Sequence, residues 1–356
     1  MRLGIDLRCM TEGEAGGIAV YARELTSRLS ALLGSGNVAG VVTGASPVAP
    51  QVPFAVKQLR VPNKFLNASF ITVRWPHLDR AVGADVFFAP TLKYLGLTAA
   101  TPLVLTLHDL SFIEHPEYFT FRQRIWHHGL QVRWLLERAT RIIAVSEHTA
   151  DDARRLFPFT AEKLRVIHSG ADHVQPGPHA PLPALPSAYL LAFAPREARK
   201  NIANLRRAHT LAFPQHNVPL VLVGSGAGEP AAGIVPIPYL SNAERWQAVA
   251  NATAFIYPSV YEGFGFPPLE AMVLGVPVIA SHVTSIPEVV GNAALLVDPW
   301  DPQDIARAMV TLARDSVLRD RYSALGKDRV RHFTWDACAQ QTAVVIQEAY
   351  AYAHRH

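Results

Sequence analysis

The chain has 356 residues, of which 49% are apolar and 17% are charged, and its formal net charge is +4 at pH 7. This composition is typical of a globular protein and argues against disorder, and the length predicts two or possibly three domains. The small excess of positive charge and the absence of a recognised nucleic-acid-binding motif argue against a nucleic-acid partner.

The cysteine content and the N-terminus indicate the cellular compartment. Cys9 and Cys338 are the only cysteines, and they are far apart in apolar surroundings. This predicts neither a disulfide framework nor a metal cluster, and it fits a reducing cytoplasm. The first residues alternate like a strand without a secretory apolar region, and no apolar stretch approaches the length of a membrane span.

Apolar runs of strand length alternate with amphipathic stretches through the first half of the chain. The predicted strands are RLGIDL, VAGVVTG, ADVFFAP, TPLVLTLHDL, ATRIIAVS and LRVIHSG, and the first predicted helix is YARELTSRLSALL. This alternation is typical of β-α-β units with buried parallel strands. We therefore predict a doubly wound domain over residues 1–175.

A proline-rich segment follows this domain. Five prolines and one glycine fall within the fifteen residues HVQPGPHAPLPALPS. Proline fixes φ and removes a backbone donor, so the segment suits neither a helix nor an inner strand. We predict an interdomain linker over residues 176–187.

The alternation of strands and helices then resumes. The predicted strands are AYLLAFAP, VPLVLVGSG, AGIVPIPYL, ATAFIYPS, VPVIASH and AALLVDP. They predict a second doubly wound domain over 188–334, and the helical tail 335–356 is expected to pack back on the first domain. The predicted fold class is α/β, with two Rossmann-like domains that face each other and bind a ligand in the cleft between them.

The stretch YEGFGFPPLE follows the predicted strand ATAFIYPS. Gly263 and Gly265 allow a tight turn and a close approach to a ligand, and the prolines suit the first turn of a helix. Glu262 precedes the turn, and Glu270 is expected one helical turn inside, at the exposed end of that helix. Two carboxylates and a helix N-terminus suit a nucleoside diphosphate sugar, whereas a surface acid and a first-turn acid are an equally good reading of the spacing alone.

The segments SVYEGFGFPPLEAMVLGVPVIAS and SIPEVVGNAALLVDPWDP carry a family resemblance. They resemble the signature of the retaining glycosyltransferases of family 4, which have the GT-B fold. The match is dense over residues 257–302, and weaker similarity extends to GGIAVYARELTSRL, LTLHDLSF, IIAVSEHTADD and VIHSGAD. The resemblance implies transfer of a sugar from a nucleoside diphosphate donor with retention of configuration, without a metal or other cofactor.

The resemblance assigns roles to the two acids and the turn between them. It implies that Glu270 binds the ribose hydroxyls and that Glu262 faces the transferred sugar. The backbone of Gly263, Phe264 and Gly265 would then lie along that sugar and the diphosphate.

The stretch APREARKNIANL supplies cations for the diphosphate. The family places an Arg and a Lys at this strand end, and Lys200 matches the Lys. Arg196 and Arg199 compete for the Arg, and we favour Arg196 as the catalytic partner of Lys200, with Arg199 as a substrate-binding residue. A solvated basic helix start is the structural alternative, although it would oppose the helix dipole.

Two further segments of the first domain match the family. Gly16 and Gly17 follow the first strand, where any tight turn favours glycine, and the resemblance implies a mobile loop that closes over the phosphates and the acceptor. His108 and Asp109 follow another strand. A histidine at a strand end is often a structural hydrogen-bonding residue, whereas the resemblance implies that His108 lies against the donor sugar, with Asp109 beside it as a substrate-binding residue.

The nucleobase contact is expected in the second domain. Tyr239 and Leu240, in PIPYLSNAERW, are predicted to meet the base through backbone groups. Such contacts do not reveal which base is bound.

Basic and aromatic residues are interleaved in two stretches of the first domain. FRQRIWHHGLQVRWLLERATR contains five arginines with Trp126 and Trp134, and RVPNKFLNASFITVRW adds further cations and Trp75. This pattern suits peripheral contact with an anionic membrane at the inner face. Two helices that pack with Trp inward and Arg outward are the alternative.

Together these observations predict a cytoplasmic, metal-independent retaining glycosyltransferase. Mannose from GDP-mannose is the favoured donor sugar, and a glycan or lipid-linked oligosaccharide of a surface polysaccharide is the expected acceptor. A non-catalytic GT-B subunit that binds nucleotide or glycan, and a nucleotide-sugar epimerase, are the rival functions.

Overall fold

The computed structural model describes residues 1–11, 16–44, 51–175, 182 and 184–354, and the chain divides into two compact units. The first unit comprises Met1–Glu114, Thr120–Gly170 and Trp335–His356. The second comprises His115–Phe119 and Ala171–Thr334. The first unit thus ends its main segment at Gly170, five residues before the expected boundary at 175, and most of the predicted linker 176–187 lies outside the described residues.

The α-helices of the described ranges vary in length from four residues to nineteen. In chain order they are α1 Gly17–Leu33, α2 Asn63–Thr72, α3 Leu78–Val82, α4 Ser111–Glu114, α5 Phe121–Gly129, α6 Val132–Arg138, α7 Glu147–Leu156, α8 Ile202–His216, α9 Asn242–Ala250, α10 Phe266–Val273, α11 Ile286–Val290, α12 Pro302–Arg314, α13 Ser316–Arg329 and α14 Trp335–Ala353. None of the helices in this part of the chain is both long enough and apolar enough to cross a membrane.

The first unit contains a parallel sheet that has seven strands within the described residues. Their order is β3-β2-β1-β4-β5-β6-β7. The strands are β1 Leu3–Asp6, β2 Val38–Thr43, β3 Ala55–Leu59, β4 Val86–Ala89, β5 Leu103–Leu107, β6 Arg141–Ala144 and β7 Leu164–Val166. Four of the five inner strands, β1, β2, β4 and β5, are buried along their whole length, which explains their continuous apolar sequence.

Strand β3 was absent from the sequence-based prediction. It lies at the edge of the sheet and, among the described strands, pairs only with β2, from Ala39 opposite Ala55 to Thr43 opposite Leu59. Its residues are exposed or half-buried and include Lys57 and Gln58. An edge strand of this kind needs no continuous apolar run, so its sequence lacks the signal that identified the inner strands.

The last helix, α14, packs within the first unit. Trp335 at its start is fully buried, and its ring lies 5.9 Å from the ring of Tyr21. Arg28 donates to Asp336 at 2.8 Å, and Glu348 accepts from Arg165 at 2.9 Å. Buried apolar residues and ion pairs along α14 therefore attach it to α1 and to the sheet of this unit.

The second unit contains a parallel sheet of six strands in its described part. Their order is β10-β9-β8-β11-β12-β13. The strands are β8 Leu190–Phe193, β9 Leu220–Val223, β10 Ile234–Ile237, β11 Ala254–Tyr257, β12 Val278–Ser281 and β13 Ala294–Val297. Both sheets have the doubly wound order of Rossmann-like units, so the predicted α/β class is confirmed.

The strand order of the second sheet reverses between β8 and β11. These strands are neighbours, with Leu191 opposite Phe255. In an open parallel sheet, such a reversal opens a crevice at the carboxyl ends of the strands. The segments that follow β8 and β11 therefore lie at the position where ligands bind in this type of sheet.

Candidate functional site

Glu262 lies in the segment that connects β11 to α10. The residue is only 6% exposed. The Ser285 hydroxyl donates to the backbone oxygens of Glu262, at 2.9 Å, and Phe264, at 3.1 Å. The single Ser285 hydroxyl hydrogen is shared between these two oxygens and ties the turn to the start of α11. The burial of Glu262 shows that it is not the surface residue that the spacing alone allowed.

Gly265 makes the turn possible. Its φ is +97°, and a Cβ built on it would lie 2.6 Å from Cδ1 of Ile286. A side chain at this position would meet both backbone strain and a clash. Helix α10 begins at the next residue with proline in its first turn, as the sequence predicted.

Two cations surround the Glu262 carboxylate. Arg199 Nη1 lies 2.5 Å from Oε2, and Lys200 Nζ lies 2.6 Å from Oε1. Lys200 also donates to the Tyr257 hydroxyl at 3.0 Å. Burial alone would raise the pKa of Glu262, but the charges of Arg199 and Lys200 outweigh it and lower the pKa to about 2.

The ionisation of Lys200 is opposed by its surroundings. Burial lowers its pKa, and the positive charge of Arg199 adds to this effect, whereas Glu262 opposes it. Arg199 is also paired with Glu197 at 2.7 Å, a side chain that is 44% exposed, so the two cations are matched by one buried and one exposed carboxylate. We call Arg199, Lys200 and Glu262 the anion-binding cluster.

Arg196 lies apart from this cluster. It is exposed, and its Nε donates to the backbone oxygen of Ser225 at 2.9 Å. The sequence favoured Arg196 as the partner of Lys200, whereas the structure places Arg199 there. The reason is local: Ala198–Lys200 form a single 3-10 turn, which carries Arg199 toward Glu262, and Val260 N donates to Arg199 O at 2.8 Å.

Glu270 lies in α10, one turn after its start, and is buried rather than exposed. Only 4% of the residue is exposed. Arg245 Nη2 donates to its Oε2 at 2.7 Å, and His173 Nε2 lies 3.3 Å from its Oε1. The expectation that this acid sits at an exposed helix end was wrong, because α9 and the segment after Gly170 both contribute side chains that cover it.

The remaining predicted residues of the second unit differ in exposure. Phe264 is buried and its ring centroid lies 5.3 Å from that of Phe266. Tyr239 is 79% exposed after β10, and Leu240 is half-buried. Gly263 is buried next to Glu262. The predicted backbone contacts of these residues with a ligand stay predictions.

The predicted glycines of the first unit lie at the start of α1. Gly16 precedes the helix with a φ of +138°, and a Cβ there would have nothing within 4 Å. Gly17 is the first residue of α1, and both glycines are exposed. The described part of this turn is open on its surface, and its predicted role over the phosphates stays a prediction.

His108 and Asp109 follow β5 in the first unit. His108 Nε2 lies 2.8 Å from the carbonyl oxygen of Pro90, and its ring packs edge-on against Tyr21. Asp109 Oδ1 accepts from both the backbone and the hydroxyl of Ser111. The structure thus gives each residue a local structural bond, and their contact with a donor sugar stays a prediction.

Several residues of the site were not singled out from the sequence. Tyr257, Ser285, Arg245 and His173 all contact one of the two acids or the turn between them. Tyr257 could have been found as the last residue of the strand before the motif. The other three lie 23 to 97 residues from the acid that they contact, so local spacing carries no signal for them.

Potential metal ligands are dispersed over the part of the chain that the structure describes. No group of three or more His, Cys, Asp or Glu side chains in the described residues is arranged to hold a metal ion. Cys9 and Cys338 are both buried.

Comparison with known proteins connects this geometry to a family. A family model described as Glycosyltransferase Family 4 matches residues 15–175, and one described as Glycosyl transferases group 1 matches residues 189–315. Sucrose-phosphate synthase from Thermosynechococcus elongatus superposes with a TM-score of 0.73 at 19% identity, covering 99% of both chains. Two doubly wound sheets and this match over almost the full length define the GT-B class of fold.

Two curated relatives from Escherichia coli are similar in sequence. O-antigen chain mannosyltransferase B is 32% identical over 261 residues, which are 67% of this chain and 68% of the relative. The serotype-specific mannosyltransferase WbdA is 29% identical over 226 residues, which are 56% of this chain but 28% of that longer protein. The chain therefore belongs to the family 4 glycosyltransferases (glycosyl transferases group 1) and resembles its mannosyltransferases, which confirms the predicted family.

Proposed function

We propose that this glycosyltransferase moves a mannosyl group from GDP-mannose to a hydroxyl of a glycan or lipid-linked oligosaccharide, with retention of the anomeric configuration. The carrying observation is the anion-binding cluster, in which Arg199 and Lys200 share the Glu262 carboxylate at 2.5 and 2.6 Å. Sequence similarity to mannosyltransferases supports the choice of sugar.

The cluster suits a diphosphate that departs with negative charge. Its two cations lie at the carboxyl ends of β8 and β11, beside the N-terminus of α10, and the second carboxylate that pairs with Arg199, Glu197, is 44% exposed. Fixed cations and backbone N–H groups stabilise charge that develops on a leaving group without having to reorganise. Glu262 keeps both cations in place, because its carboxylate binds one with each oxygen.

In the proposed reaction the bond between the anomeric carbon and the diphosphate oxygen breaks. The bond from that carbon to the acceptor oxygen forms on the same face, and the leaving phosphate oxygen takes the acceptor proton. Arg199 and Lys200 stabilise the charge on the phosphate, so the proposed reaction needs no metal. Unchanged transfer in the presence of EDTA would support that point, and loss restored by a divalent cation would overturn it.

A thermal-shift and product experiment tests the function. The protein is heated with GDP, UDP or dTDP, and we expect GDP to raise the Tm, since ligand at 100 times its Kd stabilises a protein by about 2.7 kcal/mol. Purified protein is then incubated with GDP-mannose and mannose-terminated oligosaccharides, and the products are analysed by mass spectrometry and NMR. An α-linked mannosyl product supports the proposal.

Other outcomes of that experiment contradict it. Preference for UDP or dTDP would overturn the choice of donor. Conversion of the donor sugar without an acceptor would indicate an epimerase, and nucleotide binding without any turnover would indicate a non-catalytic subunit.

We further propose that the protein works in the cytoplasm at the inner face of the membrane, through one surface of the first unit. Several aromatic and aliphatic side chains of α2, α5 and the segment after α2 are well exposed. They are Phe65, Val73, Trp75, Phe121, Ile125 and Trp126, with exposed fractions from 39% to 77%. Exposed cations lie in or just before the same segments, namely Arg60, Lys64, Arg74, Arg122 and Arg124.

Together, these exposed apolar side chains and cations form what we call the basic–aromatic surface. Arg74 joins the two segments, since its guanidinium lies 3.9 Å from the centroid of the Trp134 ring, which is partly buried. Helix α5 has no buried residue, so its apolar side chains do not all point inward as the alternative required. Aromatic rings favour the membrane interface, and each cation near anionic lipid contributes about 1 kcal/mol.

Vesicle sedimentation tests this surface. We expect the protein to bind vesicles of phosphatidylglycerol and phosphatidylcholine much more than phosphatidylcholine alone. The double variant Phe121→Ser and Ile125→Ser should lower binding at least fivefold, whereas Trp300→Ser and Val317→Ser, which change exposed residues of the second unit, should not. Equal loss in both double variants, or self-association that disappears with the first, would contradict the membrane contact.

A further inference from the structure

The Glu270 carboxylate is divided between two side chains from different parts of the second unit. Arg245, in the first turns of α9, donates to Oε2 at 2.7 Å. His173, shortly after the chain enters the unit, lies 3.3 Å from Oε1 through Nε2. Each carboxylate oxygen thus has one protein partner, and the two partners precede Glu270 by 25 and 97 residues.

This arrangement leaves acceptor capacity on both oxygens. An ionised carboxylate offers about four lone-pair positions, two on each oxygen. Arg245 and His173 use one on each, so each oxygen retains one for a ligand. Two adjacent hydroxyls on a five-membered sugar ring match two acceptor positions on one carboxylate.

Both partners are themselves held by aromatic rings. The Arg245 guanidinium lies 4.3 Å from the centroid of Phe193 and 4.8 Å from that of Trp246. The His173 ring packs edge-on to Phe266 at 6.0 Å, and its side chain is 6% exposed. Side chains that are stacked in this way present their donors in a fixed direction, which in turn fixes the plane of the carboxylate.

Charge supports the same role. A carboxylate that is 96% buried is costly unless it is paired, and Arg245 supplies the opposite charge at hydrogen-bonding distance. The Arg245 side chain is itself 31% exposed, so it reaches from the buried acid to the surface of the site. It therefore extends from Glu270 toward solvent, while 4% of Glu270 itself is exposed.

We propose that Arg245 and His173 are positioning residues that orient the Glu270 carboxylate to receive the 2′ and 3′ hydroxyls of the nucleotide ribose. This inference rests on the proposed function, because it takes a nucleoside diphosphate as the ligand. Neither residue needs to contact the nucleotide. Arg245 and His173 would affect nucleotide binding by fixing the orientation of the Glu270 carboxylate.

Nucleotides that lack the hydroxyls provide the test. Affinities of the full chain for GDP and 2′,3′-dideoxy-GDP, and for UDP and 2′,3′-dideoxy-UDP, are measured by titration calorimetry. The wild-type protein should bind the ribonucleotide about 10- to 100-fold more tightly, as two hydrogen bonds to a charged acceptor allow. Arg245→Met should reduce this ratio to about threefold or less and leave the affinity for the dideoxynucleotide within about threefold.

Matched variants separate positioning from structure. Arg329→Met removes another half-buried arginine that is stacked on a ring, Phe333, and bonded to backbone oxygens, and should leave the ratio unchanged. Arg245→Lys should restore part of the ratio, and His173→Phe should lower it. Circular dichroism and the Tm show whether each variant is folded. If Arg245→Met is not folded, Arg245→Lys takes its place, and a ratio below that of the wild-type protein is the expected result.

The outcomes distinguish this inference from the proposed function. The positioning role is overturned if folded Arg245→Met keeps the full preference for the ribonucleotide, or if it lowers the affinity for both nucleotides equally. The proposal that the protein binds nucleotides would still stand. If the wild-type protein binds neither ribonucleotide, the proposed function fails and the inference fails with it.

Discussion

Replacement of Lys200 by methionine is expected to lower the rate of sugar transfer by about 10²- to 10³-fold, the loss typical for removal of one group that stabilises a charged transition state. Methionine keeps most of the length of the side chain but cannot neutralise the departing diphosphate. Because the leaving phosphate gains a further negative charge as the bond breaks, kcat should fall more than donor affinity. Steady-state kinetics with varied donor measure both quantities.

Arg196 and Arg199 are the controls for this prediction. Arg199→Met should behave like Lys200→Met, since both cations contact Glu262. Arg196→Met should change the rate by no more than about threefold, because this exposed side chain bonds to the Ser225 carbonyl oxygen outside the cluster. Full activity of Lys200→Met would refute the phosphate role, and a large effect of Arg196→Met would restore Arg196 as its partner.

Replacement of Glu262 by glutamine is expected to lower the free energy of unfolding by about 3–5 kcal/mol, as for a buried ion pair that loses one partner. Arg199 would keep its ion pair with Glu197, whereas the buried Lys200 would lose the carboxylate that compensates its charge. The same change should also reduce transfer, because the two cations would no longer be held side by side. Urea unfolding at pH 7 measures the stability.

The dependence of this effect on pH provides a second measurement. The pKa of Glu262 is lowered from 4.5 to about 2 in the folded protein, so its ionisation stabilises the fold fully above pH 4.5 and progressively less as the pH falls toward 2. The difference in stability between wild type and Glu262→Gln should therefore shrink over that range. Asp328→Asn, which changes an exposed acid, should lower stability by no more than about 0.5 kcal/mol. A difference that does not change with pH would contradict the ion pair.

The inner strands of both sheets could be predicted because burial on two faces requires continuous apolar sequence. Phe87, Phe88 and Phe255 are all fully buried in such strands. The edge strand Ala55–Leu59 was not predicted, because a strand that is largely exposed does not need a continuous apolar sequence. Order in the sequence also predicted the doubly wound topology, since short connections restrict parallel strands to few arrangements.

The turn between Glu262 and Glu270 could also be predicted from the local sequence. Gly265 takes a left-handed φ, and prolines lie in the first turn of α10. These residue types therefore indicate a turn followed by a helix. The seven residues between the acids place one acid before the turn and the other one helical turn beyond it. The sequence therefore determined that both acids lie near the carboxyl end of β11.

Only the tertiary structure decided which side chains pair with those acids. Arg196 and Arg199 are the same residue type, three positions apart, and the direction of one 3-10 turn brings Arg199 to Glu262. Arg245 and His173 reach Glu270 across 25 and 97 residues of chain. Sequence periodicity describes one element at a time, whereas a hydrogen bond between elements depends on how they pack, and that packing is settled by the whole core.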